Sequence, residues 1–218
     1  MNRGRRREKI FFCDNDYYCF LGVLSEAVKL FKIKIYAYCL MPNHYHLLIS
    51  TPKANVSRAM RQVNGVYTQK INRKYKLEGA LFKGRYKSII IEENSYFKEC
   101  IRYIHRNPRK SGLEKELGKY PWTSHKSYIG KKSRLEWLSV SESLGYFGKY
   151  EKTAINGYNR FVNENVSKEL AKRLEGMNWP SVLGSDNFKD KIMRLFLGKD
   201  LSEVSSQEIK DALPTKSV

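Results

Sequence analysis

Apolar residues recur along this chain at two periods, and the change from one to the other marks out its first elements. Over residues 17–32, Phe20, Leu24, Ala27, Val28 and Phe31 fall at helical spacing, which predicts a helix with one buried face. Asp14, Asn15 and Asp16 stand before it as capping residues. Residues 33–41 and 44–51 are β-rich runs parted by Pro42-Asn43, which predicts two strands joined by a tight turn. Thr51-Pro52 then breaks the chain and Asn55 can cap a second helix, in which Val56, Met60, Val63, Tyr67 and Ile71 restore the 3.6-residue period. Residues 88–92 predict a strand, and Asn94 or Ser95 caps a third helix running to about Arg106. Its apolar stripe is Phe97, Cys100, Ile101 and Ile104, and Pro108 marks its end by disfavouring helix at Asn107. Tyr120-Pro121-Trp122-Thr123-Ser124 reads as a turn before a short helix carrying Tyr128. Residues 135–148 and 151–175 read as helical, and residues 182–213 as two or three short helices capped at Ser185 and Ser205.

Charge divides the chain more sharply than hydropathy does. The 218 residues carry a net charge of +19. Residues 1–150 hold 30 basic and 12 acidic side chains, a surplus of 18, whereas residues 151–218 hold 11 and 10. A polyanionic partner therefore belongs to the first part, and nucleic acid is the foremost candidate because neutralising phosphates releases counterions. A membrane surface competes less well, since no basic amphipathic helix is left uncommitted to a core. The plainer alternative is a solvated basic surface kept for solubility. Cys13, Cys19, Cys39 and Cys100 show no paired spacing and are expected as buried thiols. With no signal peptide and no long apolar run, the expected location is the cytoplasm, with no membrane association.

Candidate chemistry sits in two places. His44 and His46 alternate with Tyr45, so the two imidazoles share one face of a strand about 7 Å apart, a spacing that can grip a divalent ion. Such a pair is also commonly no more than two half-buried histidines. On the third helix Tyr103 flanks the apolar stripe and Asn107 lies one turn beyond, so phenol and amide can point at the same space. A core-edge tyrosine and a helix cap are the plain readings of these two. Two imidazoles alone favour zinc or another late transition ion, whereas an amide and phosphate oxygens pull toward magnesium or manganese. Cations gather beside these residues. Arg58, Arg61, Lys70, Arg73 and Lys74 lie on the second helix, and Lys83, Arg85 and Lys87 follow it with Tyr86 among them. Arg5 and Arg6 open the chain, and Arg102 and Arg106 lie on the third helix. Interleaved aromatics and cations suit single strands, the rings stacking on bases while the charges track phosphates.

Three segments in this order resemble one family. Tyr38-Cys39-Leu40-Met41-Pro42-Asn43-His44-Tyr45-His46, Lys83-Gly84-Arg85-Tyr86-Lys87 and Tyr103-Ile104-His105-Arg106-Asn107-Pro108 resemble the REP-associated tyrosine transposases. These are relatives of the IS200-like single-tyrosine transposases within the HUH endonuclease superfamily. The resemblance runs from about Arg3 to Gly130, and it implies an α+β fold: a ferredoxin-like antiparallel sheet with helices on one face. Residues 1–132 would form that domain and residues 133–218 a helical extension able to contact DNA. It also implies that Tyr103 is the nucleophile and that His44, His46 and Asn107 hold Mg2+ or Mn2+. The reaction would be attack on single-stranded or hairpin DNA, leaving a 5′-phosphotyrosine link and a free 3′-hydroxyl. One departure stands out: the family's opening strand precedes an Arg-Gly-x-Arg-Arg stretch, whereas here Arg3-Gly4-Arg5-Arg6-Arg7 follows only Met1-Asn2. The strand beside the histidines is therefore expected to be missing, leaving an open edge or one filled by a second copy in a homodimer. That departure keeps open a binding protein that has lost cleavage. A zinc hydrolase is the third reading, and it lacks an evident general-base carboxylate.

Overall fold

The computed structural model describes residues 1–130, 134–166, Ala171, Leu174 and 181–197, and whatever part of the two or three helices expected over 182–213 falls beyond residue 197, with the Ser205 cap, lies outside them. Element order is β1 (Asn2–Arg3), a 3-10 turn (Arg5–Arg7), α1 (Asp14–Phe31), β2 (Lys34–Met41), β3 (His44–Ser50) and α2 (Val56–Tyr75). There follow β4 (Ile90–Ile91), α3 (Glu93–Lys110), α4 (His125–Ile129), α5 (Val140–Leu144), α6 (Glu151–Asn163), β5 (Val182–Leu183) and α7 (Asp186–Leu197).

The main sheet is antiparallel, in the order β1-β3-β2. Its register pairs Cys39 with His46 and Leu40 with Tyr45, and slips between Ile35 and Ala37, so one extra residue bends β2 near its start. Because side chains alternate, Tyr45 and His46 look to opposite faces. On the Tyr45 face lies α1, whose Phe20 ring sits 4.8 Å from that of Tyr45, and α2, whose Asn64 accepts the Tyr45 hydroxyl at 2.7 Å. On the His46 face lies α3, with Tyr103 against His46 and Phe97 against Tyr36. Helices thus cover both faces, and the histidine face belongs to α3.

The edge of β3 where the sequence leaves a strand missing is occupied by the chain's own first residues. Asn2 pairs with Tyr45 and Arg3 with His44. Two residues suffice because the same segment is held from its far side: Lys83 N–H donates to Arg3, Arg5 N–H to Leu81, and Lys87 N–H to Met1. Among the described residues no other strand pairs with this edge, so β1 covers only the histidine end of β3.

Pro108 does not end α3. It lies inside the helix, which runs on to Lys110, where Ser111 closes it by returning both its N–H and its hydroxyl to the Asn107 carbonyl. A proline forfeits one ladder bond, and here the final turn survives that loss. Residues 88–92 yield only the two-residue β4, which pairs in parallel with β5 rather than joining the main sheet. Residues 135–148 yield only the short α5. Leu138, Leu144, Ala154, Tyr158 and Val162 bury into the same cluster as the sheet, so the change of composition near residue 132 is not a break in the core. Cys39 and Cys100 are buried as expected, whereas Cys19 is half-buried and Cys13 exposed at the start of α1. No described helix is long and apolar enough to cross a membrane.

Candidate active site

The β2–β3 turn delivers His44 and His46 to the α3 face. Their rings meet edge to face at 5.1 Å between centroids, and the Tyr103 ring meets His46 in the same manner at 5.7 Å. Burial holds His44 down to about pKa 4, helped by the nearby Arg3 charge, and holds His46 well below its usual range. Both rings are therefore neutral at pH 7, and each offers a lone pair. His44 spends one nitrogen, Nδ1, on Asn43 Oδ1 at 2.7 Å.

Tyr103 is 8 % exposed, and its hydroxyl donates to the Leu174 carbonyl at 3.2 Å. Asn107, 9 % exposed, turns its Nδ2 back to the Tyr103 carbonyl at 2.9 Å. That bond uses the donor end of the amide and leaves Oδ1 as its acceptor end. Asn107 is thus held against its own helix, one turn beyond Tyr103. Among the described residues no group of three His, Cys, Asp or Glu side chains could enclose a metal ion. Two neutral imidazoles make an open, uncharged donor pair, which leaves the remaining positions around an ion to water and phosphate oxygens. A closed four-ligand zinc site does not fit these residues.

The one histidine of α3 lies outside this cluster. His105 is fully buried, its Nε2 2.7 Å from Ser124 Oγ and its Nδ1 2.8 Å from the Tyr158 hydroxyl, which also meets His125. This network ties α3, α4 and α6 together behind the tyrosine.

Residues 1–107 match the family described as Transposase IS200 like. Over that span the chain is similar to the IS200-like transposases. A solved structure described as a REP-associated tyrosine transposase bound to a REP hairpin has a similar fold, with a TM-score of 0.51 and 16 % identity, covering 63 % of this chain and 81 % of that one. No match was found among the curated proteins.

This region presents Arg58, Arg61, Lys70 and Arg73 as exposed residues of α2, whose buried residues include Met60, Val63, Tyr67 and Ile71. Backbone pairing of residues 1–5 with 81–87 brings Arg5, Arg6, Lys83, Arg85, Tyr86 and Lys87 to the edge of the sheet beside the histidine turn. Tyr86 reaches α2 there, its hydroxyl 3.1 Å from Ser57 Oγ. Three cations proposed from sequence for DNA have other work. Lys74 pairs at 2.6 Å with Asp16, a carboxylate only 1 % exposed that also caps the Phe12 and Cys13 N–H groups. Arg102 is buried, holding Glu99 at 2.6 Å and Glu164 at 3.2 Å and stacking on Phe161 at 4.2 Å. Arg106 donates to the Val162 and Asn163 carbonyls at 3.0 Å, capping the C-terminus of α6. Both arginines thus have partners within the protein, on α6 and its end.

Arg3 and Asn43 were missed from sequence. Arg3 stands cross-strand from His44 and lowers its basicity, and its Nε is buried without a partner. The signal was available in the Arg3-Gly4 start and in Pro42-Asn43, which read only as charge and as turn. Arg6 and Arg7 adopt left-handed backbone, φ 52° and 64°, at a cost of about 1–3 kcal/mol each.

Proposed function

We propose that this protein is a metal-dependent single-strand DNA transposase in which Tyr103 attacks a phosphodiester of hairpin-forming DNA in the cytoplasm. The observation that carries the reading is the convergence of His44, His46 and Tyr103, two neutral imidazoles and a phenol drawn from β3 and α3. Mg2+ or Mn2+ held by His44 and His46, with Asn107 Oδ1, would polarise the scissile phosphate and orient it toward the phenol. The Tyr103 oxygen forms a bond to phosphorus as the bond from phosphorus to the 3′-oxygen breaks. The phenol gives up its proton and the departing oxygen gains one, leaving a 5′-phosphotyrosine and a 3′-hydroxyl. Rejoining is the reverse, so the covalent link stores the energy of the broken bond. The exposed cations of α2 and of residues 83–87 would track the strand's phosphates, with Tyr86 placed to stack on a base. Fold likeness to a transposase bound to a REP hairpin supports DNA of that kind as the partner.

A second reading, binding without cleavage, is favoured by one observation: the Tyr103 hydroxyl is buried and already donated to Leu174. Incubation with a labelled hairpin oligonucleotide in Mn2+ separates the two. The cleaving protein gives a denaturation-resistant protein–DNA adduct that is absent from Tyr103→Phe. Tight binding with no adduct from the wild type establishes the second reading, and an adduct that persists in Tyr103→Phe removes Tyr103 as the nucleophile.

A further inference from the structure

We propose that Asn43 is a positioning residue that fixes His44 in its Nδ1–H tautomer, and that the left-handed turn at Arg6 and Arg7 holds Asn43 in the orientation this requires. The inference rests on the reading that His44 and His46 hold the metal ion, and it names what prepares one of them to do so.

The argument follows hydrogen-bond polarity from one end of the chain of contacts to the other. Asn43 Nδ2 lies 3.0 Å from the Arg7 carbonyl oxygen. A carbonyl only accepts, so the NH2 end of the amide faces Arg7 and Oδ1 faces His44. Oδ1 also only accepts, so its 2.7 Å contact with His44 Nδ1 demands a proton on that nitrogen. A neutral imidazole carries one N–H, so Nε2 is left with the lone pair. The ligating nitrogen of His44 is thereby chosen before any ion arrives.

The loop bearing Arg7 is built to deliver its carbonyl. Gly4 N–H donates to the Asn43 carbonyl at 2.8 Å, and Ile10 and Phe11 N–H donate to the Pro42 carbonyl at 2.8 and 3.2 Å, so residues 4–11 wrap the β2–β3 turn from both ends. Between those anchors Arg6 and Arg7 take φ 52° and 64°, a conformation that non-glycine residues hold only where their surroundings impose it. The wrap is tight: a Cβ on Gly4 would lie 2.2 Å from the Glu8 carbonyl oxygen. Hydrogen bonds of this outer kind orient ligating histidines and set their basicity, and their loss typically costs 10- to 100-fold in metal affinity.

The test needs no catalysis. The chain has four histidines, so two-bond proton–nitrogen NMR of the 15N-labelled, metal-free protein at pH 7.5 resolves each tautomer, and His44→Gln assigns the His44 signals. The wild type should show His44 as Nδ1–H. Asn43→Ala should convert it to a mixture or to Nε2–H and weaken Mn2+ binding, measured calorimetrically, by about 10- to 100-fold. Asn43→Asp, which keeps an acceptor at that place, should retain the Nδ1–H form. Unchanged His105 and His125 signals report an intact fold in each variant. A wild-type His44 in the Nε2–H form overturns the proposal, as does an Asn43→Ala tautomer identical to wild type. An altered tautomer with unaltered Mn2+ affinity overturns the claim that the tautomer serves the ion. Should His44→Gln leave Mn2+ affinity intact, the metal reading itself fails, while the NMR result still decides the tautomer.

Discussion

Mild acid should destabilise this protein well before its carboxylates titrate, because its four histidines are all held neutral. His44 and His125 bind a proton only near pH 4 when folded, and His46 and His105 are held well below their usual range, in each case chiefly by burial. In the unfolded chain each takes one near pH 6.5. Between those limits the unfolded state binds more protons than the folded one, so stability falls as pH falls through 6.5, and the His44 and His125 contributions level off near 4. For a ring with a folded value of about 4, the loss at pH 5.5 is about 1.4 kcal/mol, so His44 and His125 together remove about 3 kcal/mol. His46 and His105 act in the same sense. Against a whole-domain stability of about 5–15 kcal/mol that is a large share. Urea unfolding of metal-free protein, followed by circular dichroism at pH 7.5, 6.5 and 5.5, measures it. His44→Gln should recover about 1.4 kcal/mol of the pH dependence by removing one ring. Equal stability at pH 7.5 and 5.5, or four histidine C2-proton titrations centred near 6.5, would refute the reasoning.

Two further perturbations separate structural cations from those proposed for DNA. Arg102→Ala removes a buried guanidinium from Glu99, Glu164 and the Phe161 ring, and should cost about 2–4 kcal/mol in urea unfolding, discounted from a fully buried pair because Glu164 is solvent-facing. Arg61→Ala, on the exposed side of α2, should leave the unfolding midpoint within experimental error. It should lower hairpin affinity and reduce the slope of log K against log salt by about 0.7–0.9, whereas a change confined to stability would show Arg61 outside the DNA face.

How far the sequence can be read depends on whether a signal is local. The stripes of α1 and α2 needed only periodicity, and Phe20, Leu24, Met60, Val63, Tyr67 and Ile71 are all buried where it places them. The two strands around Pro42-Asn43 were legible for the same reason, as was Ser185, whose hydroxyl accepts the Phe188 N–H at the start of α7. The pairing of His44 and His46 with Tyr103 was legible through motif resemblance and the helical wheel. What failed was tertiary. Nothing local says that Asn2–Arg3 will be gripped by residues 81–87 and so complete an edge, or that Asn55 will donate to the Phe31 carbonyl rather than cap α2 with its side chain. Nothing local says that Arg102 and Arg106 will meet the end of a helix some 55 residues later. An arginine reads the same in sequence whether its partner is a phosphate or a carbonyl.

That last contact makes α3 and α6 one unit of exchange. Arg102 and Arg106 bracket Tyr103 in the chain, and through them α6 sets where α3 sits along the sheet and so how far the phenol reaches toward His46. A chimera that takes α3 from one relative and the following helices from another would shift Tyr103 against the histidines even with every motif residue intact. The two helices are best transplanted, and expected to diverge, together.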